Sequence, residues 1–334
     1  MSEAFDNQPR ADAVVTPPHP PVTKILVTGA TGFVGGYVVG KLLENDYLPV
    51  CPVRHPARLM EKFSDQQRER ILPIHGDLFD LPALTRAAQD CTAAVHLVGI
   101  IDENTAACQT FERIHVEATR NMIEACIRAG VRRYVHMSAL GARPDATNRY
   151  HRSKWLAELA VRESGLDWTI FRPSLIHGPD GEFMRMMKYF CTAGLRQPVM
   201  LYFGRGETRL QPVYVRDVAA CFVKCLAMPE TVGQVYELGG PERLTWRQLY
   251  EVCSLSIIGR RKLKLPVHPA VARLLARTIV PLVPSMLMPY KFSVDQVLMS
   301  QEDNICAQET AEKVFDIHFA DFREELARYA DLIG

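Results

Sequence analysis

The chain has 334 residues, more than a typical single domain, so we predict one large domain with a smaller appended lobe. Apolar residues make up 48% and charged residues 23%, which is typical of a globular protein and excludes a chain that is disordered throughout. The 39 Lys and Arg and the 38 Asp and Glu nearly cancel, which excludes a global charge that attracts nucleic acid, so we predict no nucleic-acid partner.

Residues 1–22 are rich in proline and contain no apolar run of the signal-peptide type, so we expect a disordered tail. No later run is long and apolar enough to cross a bilayer, and we expect a cytoplasmic protein. The nine cysteines include no C-x-x-C pair, which is typical of a reducing compartment, and we predict no metal site. Cys221 and Cys225 share one helix face and are predicted to be buried thiols.

From Lys24 onward, short apolar runs alternate with helical patterns, which is typical of an α/β protein with a parallel sheet. This predicts a Rossmann-type doubly wound domain over residues 23–175, in which Pro49 and Pro52 lie at the two ends of the second strand. The predicted elements are strand Lys24–Thr28, helix Phe33–Glu44, strands Leu48–Val53, Ile71–His75 and Ala94–Val98, helix Cys108–Ala129, strand Arg133–Met137, helix Arg149–Ser164 and strand Trp168–Phe171.

After Pro173 the alternation loosens, and residues 176–334 are predicted to form mainly a small C-terminal α/β substrate lobe and C-terminal helices. Residues 211–240 are expected to return to the sheet, with strands at Gln211–Val215 and Gln234–Leu238. Thr245 and Gln248 form a capping box that opens a helix at Trp246–Ser254.

A glycine-rich turn, GATGFVG, follows the first strand and runs into the first helix. Glycines at these positions allow a tight turn, the approach of the backbone to a diphosphate and close packing of helix on strand, while the helix N-terminus attracts anions. This context predicts a dinucleotide site in preference to a merely structural turn. The predicted contacts are Gly29, Thr31, Gly32, Phe33, Val34 and Gly35.

The end of the second strand carries Arg54 and Arg58 where an NAD-selective site carries an acidic residue. Guanidinium groups suit a 2′-phosphate, so we predict NADP(H), with NAD(H) and a merely solvated basic loop as the alternatives. Further along, Asp77 is a candidate acceptor for the adenine amino group, or an ordinary turn residue. The remaining predicted contacts on this side are Leu78, Val98 and Gly99, which follow the third and fourth strands.

Tyr150 and Lys154 stand four residues apart, on one face of the helix that follows the fifth strand. A cation beside a phenol lowers its pKa toward neutrality, so Tyr150 is predicted to transfer a proton while Lys154 also holds the nicotinamide ribose. An ordinary surface helix is the alternative.

Together with Phe171-Arg172-Pro173-Ser174, these motifs resemble the extended and atypical short-chain dehydrogenase/reductase superfamily over Lys24–Glu251. The resemblance implies that Tyr150 and Lys154 are catalytic, that Ser138 orients the substrate oxygen, and that Pro173 borders the nicotinamide. Stretches such as HMSALGA and SGLDWT are most similar to bacterial relatives of the nucleotide-binding accessory subunit of respiratory complex I.

Two departures from the superfamily bear on turnover. The interval from Ser138 to Tyr150 is short, and His115 stands where active members often carry an Asn. The leading hypothesis is an NADP(H)-dependent oxidoreductase with an unidentified small-molecule substrate. The alternatives are a non-catalytic NADPH-holding accessory subunit or assembly factor of respiratory complex I, and an NADP(H)-sensing regulator.

The C-terminal stretch places Arg260, Arg261, Lys262 and Lys264 before an apolar, proline-broken segment at Val271–Tyr290. Such a pattern suits a peripheral contact with the inner membrane or with a respiratory complex. Packing of the segment on the substrate lobe is the other interpretation, because arginines interrupt its apolar residues.

Overall fold

A computed structural model describes residues 23–193 and 199–334. The tail predicted for residues 1–22, and residues 194–198 of the predicted substrate lobe, lie outside the described residues.

Thirteen strands are found in the described residues. They are β1 Lys24–Thr28, β2 Leu48–Val53, β3 Leu72–His75, β4 Cys91–His96, β5 Arg133–Met137, β6 Asp167–Pro173, β7 Ile176–His177, β8 Met200–Phe203, β9 Arg209–Leu210, β10 Val213–Tyr214, β11 Gln234–Leu238, β12 Leu244–Thr245 and β13 Lys264–Val267. Seven of them form one sheet of order β11-β6-β5-β4-β1-β2-β3, in which every neighbouring pair is parallel. The protein is therefore an α/β protein of the predicted Rossmann type.

The described α-helices flank this sheet and build the second lobe. They are α1 Phe33–Glu44, α2 Pro56–Met60, α3 Asp65–Arg68, α4 Leu81–Ala88, α5 Ala118–Ala129, α6 Arg149–Arg162, α7 Glu182–Thr192, α8 Val215–Lys224, α9 Trp246–Ile258, α10 Pro269–Thr278, α11 Val294–Met299, α12 Gln308–Phe315 and α13 Phe322–Tyr329. The capping box of Thr245 and Gln248 at the start of α9 is present as predicted.

The strand order reverses between β1 and β4, which are neighbours although β2 and β3 lie between them in sequence. In open parallel sheets, ligands bind at such a point, outside the carboxyl ends of the strands. The GATGFVG turn follows β1 and the Val98-Gly99 segment follows β4, so the sheet brings these two predicted contacts to one place.

Several predicted elements were wrong in extent; helix α9, for example, continues to Ile258 where an end at Ser254 was predicted. The fourth strand is Cys91–His96, earlier than expected. The long helix predicted from Cys108 begins later: Cys108 has a positive φ of 53°, and a π-helical turn at Glu112–Glu117 precedes α5. Of the strand predicted at Gln211–Val215, the structure forms Val213–Tyr214 as β10, which begins after Pro212 and pairs with β7 instead of joining the large sheet as expected.

Pro49 and Pro52 are the second and fifth residues of the six-residue strand β2, close to the predicted positions at its ends. Cys221 and Cys225 are buried free thiols, as predicted.

Three hydrophobic cores are found in the described residues, and the third lies on the face of the sheet that α4 and α5 cover. The first lies between the sheet, α1 and α8 and includes Phe171 and Phe222. It also contains Phe315 and Phe319, from α12 and the segment after it, which the sequence analysis grouped with the second lobe. The second core joins α7, α9 and α13.

Candidate functional site

The GATGFVG turn adopts the geometry that its glycines predict. Gly29 has a φ of +81°, and its carbonyl oxygen accepts a 2.9 Å hydrogen bond from the Gly32 N–H. Gly32 is the N-cap of α1 and supplies no side-chain cap, so the first N–H groups of the helix, at Phe33 and Val34, are left for a ligand.

Gly35 shows why helix and strand approach so closely here. A Cβ on Gly35 would lie 2.0 Å from the Gly29 carbonyl oxygen and 2.8 Å from the Ala30 Cα. No side chain fits at this position, so α1 packs directly on the turn and its N-terminus is fixed relative to the end of β1.

A basic cavity of about 400 Å³ opens beside this turn, at the end of β2. It is lined by Thr31, Arg54, His55, Arg58, Glu61 and Lys62. The structure thus brings the two predicted arginines, Arg54 and Arg58, close to Thr31. It also adds Lys62, whose Nζ donates a 2.9 Å hydrogen bond to the Gly32 carbonyl oxygen. The sequence analysis missed Lys62, which lies in the turn directly after α2.

Asp77 and Leu78 already have partners in the turn after β3. The Asp77 Oδ1 accepts a 3.0 Å hydrogen bond from the Phe79 N–H, which is the turn role that the sequence also allowed. The Leu78 carbonyl oxygen accepts from the Asn121 amide at 3.0 Å. One carboxylate oxygen of Asp77 therefore remains for an adenine amino group.

Lys154 lies at the carboxyl ends of β4 and β5. Its Nζ donates to the carbonyl oxygens of Met137 at 3.1 Å and Val98 at 3.4 Å, and only 2% of the residue is exposed. A Cβ on Gly99 would lie 2.8 Å from this Nζ. Burial lowers the pKa of Lys154 to about 8, against a smaller opposite effect of Glu158.

Tyr150 is half-buried among aromatic rings, edge-on to Phe111 at 5.9 Å and to His115 at 5.6 Å between ring centroids. Burial raises the pKa of the phenol to about 12. The predicted lowering of this pKa by Lys154 is wrong for the protein without nucleotide, because the aromatic surroundings disfavour the phenolate.

His115 links the backbone near Gly99 to the backbone of Tyr150 through hydrogen bonds. Its Nε2 accepts from the Ile100 N–H at 3.0 Å, so the proton is on Nδ1, which donates to the Ser153 Oγ at 2.7 Å. The Ser153 hydroxyl in turn donates to the Tyr150 carbonyl oxygen at 2.7 Å. Burial and the nearby Lys154 hold the pKa of His115 well below its ordinary value, so the ring stays neutral.

Ser138 and Pro173 lie at the ends of neighbouring strands. The Ser138 Oγ is buried and has no hydrogen-bond partner among the described residues. Such a hydroxyl is suited to a substrate oxygen. Pro173 ends β6, and its carbonyl oxygen accepts from the Leu140 N–H at 2.9 Å.

An ion-pair network that the sequence analysis missed fixes α6 on the sheet. Glu158 is fully buried and accepts two 2.8 Å hydrogen bonds from Arg172 of β6, with a third from Arg162 at 3.2 Å. Arg172 of the Arg-Pro segment therefore attaches β6 to α6, the helix that carries Tyr150 and Lys154.

Among residues 23–193 and 199–334, no group of His, Cys, Asp and Glu could hold a metal ion.

Several known proteins resemble this chain. It is 30% identical to the mitochondrial NADH dehydrogenase (ubiquinone) 1 alpha subcomplex subunit 9 of Arabidopsis thaliana, over 81% of this chain and 68% of that protein. The corresponding subunit of Dictyostelium discoideum is 27% identical over 72% of this chain and 66% of its own length. A ceramide reductase of Caulobacter vibrioides is 31% identical over 67% of this chain and 68% of its own length.

Solved structures share the fold. A nucleoside-diphosphate-sugar epimerase from Staphylococcus aureus superposes with a TM-score of 0.70 at 16% identity, covering 91% of this chain and all of that one. MoeE5 in complex with UDP-glucuronic acid and NAD gives 0.69 at 20% identity, over 92% and 98%. The model of the NAD dependent epimerase/dehydratase family matches residues 25–239, which include the glycine turn, Tyr150 and Lys154. The chain therefore belongs to the NAD dependent epimerase/dehydratase family.

Proposed function

We propose that this protein is an NADP(H)-preferring oxidoreductase in which Tyr150 is the proton donor and acceptor. The observation that carries the proposal is the position of Lys154, a buried ammonium beside the point where the strand order reverses. Its contacts with Val98 and Met137 use two of its three N–H donors, so one remains for a nucleotide ribose or for the Tyr150 hydroxyl.

The residues fit a nicotinamide dinucleotide. The uncapped start of α1 suits a diphosphate, and the basic cavity suits a 2′-phosphate. Bound nicotinamide would supply or accept hydride. Tyr150, whose phenol is protonated at neutral pH, would donate its proton to a substrate carbonyl oxygen. Ser138 would donate a second hydrogen bond to that oxygen, and Lys154 would stabilise the phenolate left behind.

The cofactor assignment is tested by titrating NADPH and NADH into the purified chain. We expect Arg58→Ala to weaken NADPH binding by about tenfold or more, since it removes a charge-assisted contact, and to leave NADH binding nearly unchanged. Arg128→Ala, which changes an exposed arginine paired with Glu124, is the control. Equal losses for the two nucleotides would remove the 2′-phosphate assignment.

The catalytic assignment is tested with a panel of carbonyl compounds and NADPH. We expect Tyr150→Phe to lower kcat by about a hundredfold or more, with NADPH binding retained. Unchanged turnover in Tyr150→Phe would exclude this mechanism.

A second function, as a nucleotide-holding subunit of a respiratory complex, is favoured by the relatives named as mitochondrial NADH dehydrogenase subunits. Purification of the protein from native membranes distinguishes between these two functions. Stable co-migration with respiratory subunits, with nucleotide that does not exchange, would favour the subunit. A free protein with exchanging nucleotide would favour the enzyme.

A further inference from the structure

Part of the second lobe exposes an unusual number of large apolar side chains, which we call the C-terminal apolar face. Leu282, Met286 and Leu287 are 81%, 87% and 70% exposed. The face comprises Leu201, Leu263, Leu265, Val271, Leu274, Ile279, Leu282, Met286 and Leu287.

These side chains lie on connected elements. Leu201 of β8 pairs with Leu265 of β13, and α10 follows β13 directly. After α10 the chain makes short turns, in which the Leu282 N–H donates to the Ile279 carbonyl oxygen and the Leu287 N–H to that of Pro284. The exposed apolar residues therefore lie on adjoining elements of one part of the second lobe.

Helix α10 shows that this surface is not simply packed on the lobe. Only its small residues Ala272 and Ala276 are buried, whereas Val271 and Leu274, on another side of the helix, are 50% and 62% exposed. The interpretation that the whole segment packs on the substrate lobe is therefore wrong for these large side chains.

The charge of the same segment is strongly one-sided. Residues 252–294 contain seven Lys and Arg and no Asp or Glu, so they carry +7, and the rest of the chain, whose total is +1, carries −6. Arg261 and Lys264 contact Glu251, just before the segment. Arg273 and Arg277 of α10 are exposed and pair with no carboxylate among the described residues.

We propose that the C-terminal apolar face docks on an anionic phospholipid surface. Exposed leucines and methionines would enter the acyl boundary, while the arginines would contact lipid phosphates. The complementarity of charge favours lipid over an apolar protein groove. No helix in the part of the chain that the structure describes is long and apolar enough to cross a membrane, and this docking does not require one. It is also independent of the proposed oxidoreductase function.

The test is co-sedimentation of the full chain with vesicles. We expect binding to vesicles of phosphatidylcholine mixed with phosphatidylglycerol, weakened by salt, and at least tenfold weaker binding to phosphatidylcholine alone. Leu274→Gln combined with Leu282→Gln, and separately Arg273→Gln combined with Arg277→Gln, should each reduce binding by on the order of tenfold.

Ile127→Gln is the matched control, since this residue of α5 is 50% exposed outside the face. All variants should keep the wild-type thermal unfolding midpoint and nucleotide affinity, because the changed side chains are exposed. Vesicle binding that is equal for the two compositions, or that is unaffected by both double variants, would overturn the proposal. So would binding to isolated respiratory complex without binding to protein-free anionic vesicles.

Discussion

At the scale of single residues, close packing leaves the backbone of the site very little space. Lys154 and Gly99 illustrate this, because the ammonium occupies the space that any side chain at position 99 would need. The same crowding buries the charge of Lys154 in a place where its hydrogen-bond acceptors, among the described residues, are two main-chain carbonyls. The cost of that burial should be visible in the pH dependence of folding.

Lys154→Met should raise the free energy of unfolding of the nucleotide-free protein more at neutral pH than at high pH. Below pH 8 the lysine is charged in both folded and unfolded chains and the burial cost is complete. Between the folded pKa of about 8 and the ordinary value of 10.5, the unfolded chain binds more protons, so the wild type gains stability as pH rises. The free-energy difference between variant and wild type should shrink by up to about 3 kcal/mol.

Urea unfolding at a series of pH values measures this difference. Lys313→Met, at an exposed position, is the control and should show no comparable trend. A constant difference across this pH range would mean that Lys154 is not destabilised by burial.

Substitutions at two adjacent glycines of α1, Gly35 and Gly36, distinguish the effect of close packing from that of helix propensity. Gly35→Ala should abolish nucleotide binding or folding, because its Cβ would overlap the Gly29 carbonyl oxygen. Gly36→Ala places its Cβ 3.5 Å from the flexible Lys62 side chain and should stabilise the helix by up to about 1 kcal/mol. Thermal unfolding and NADPH titration of both variants test this pair; a Gly35→Ala protein that binds normally contradicts the packing argument.

At the scale of elements, α6 is the part of the site that depends most on distant contacts. It carries Tyr150 and Lys154, the two residues proposed to act in the reaction, and it is attached to β6 through Glu158 and Arg172. The attachment restrains the rotation and translation of the helix and so holds Tyr150 and Lys154 in place.

Glu158→Gln should lower the free energy of unfolding by about 3 kcal/mol, because it leaves the Arg172 charge without its buried partner. Arg162→Gln should cost less than about 1 kcal/mol, since the side chain of Arg162 is 30% exposed. Chemical denaturation of both variants measures the contrast. Similar small losses in both variants would show that the Glu158–Arg172 pair stabilises the fold no more than the partly exposed Arg162 does.

At the scale of the whole molecule, the chain returns to its first core after building the second lobe. Ala311, Phe315 and Phe319 pack with residues of the sheet, where the Phe315 ring lies 5.4 Å from that of Phe171 and 4.9 Å from that of Tyr236. Asn304 also contacts Ser174 and, through its amide, the Leu140 carbonyl oxygen at 3.3 Å. These contacts connect the two lobes.

Phe315→Ala should therefore destabilise the Rossmann part by about 4 kcal/mol, although it lies far beyond the family match. Leu332→Ala, at a residue that is 70% exposed, should change stability by less than about 0.5 kcal/mol. Denaturation followed by circular dichroism measures the loss of folded structure, and nucleotide binding during denaturation measures the loss of the Rossmann part. Loss of the second lobe alone, with the sheet and nucleotide binding unaffected, would contradict this view of the C-terminal return.

The sequence by itself determined the features that short-range chemistry governs. The bounds of β1, α1, β2, β5 and β11 and the N-cap of α9 agree with prediction, because alternation, glycine spacing and capping act within a few residues. The positive φ of Gly29 and the common helix of Tyr150 and Lys154 belong to the same class.

The tertiary structure alone decided which distant groups meet. It placed Lys62 against Gly32, Glu158 against Arg172 and Phe315 in the first core, and it raised the pKa of Tyr150 where local charge predicted a decrease. It also left the C-terminal leucines exposed when their pattern allowed burial. Burial and long-range pairing depend on how separate elements pack, which no local pattern of residues specifies.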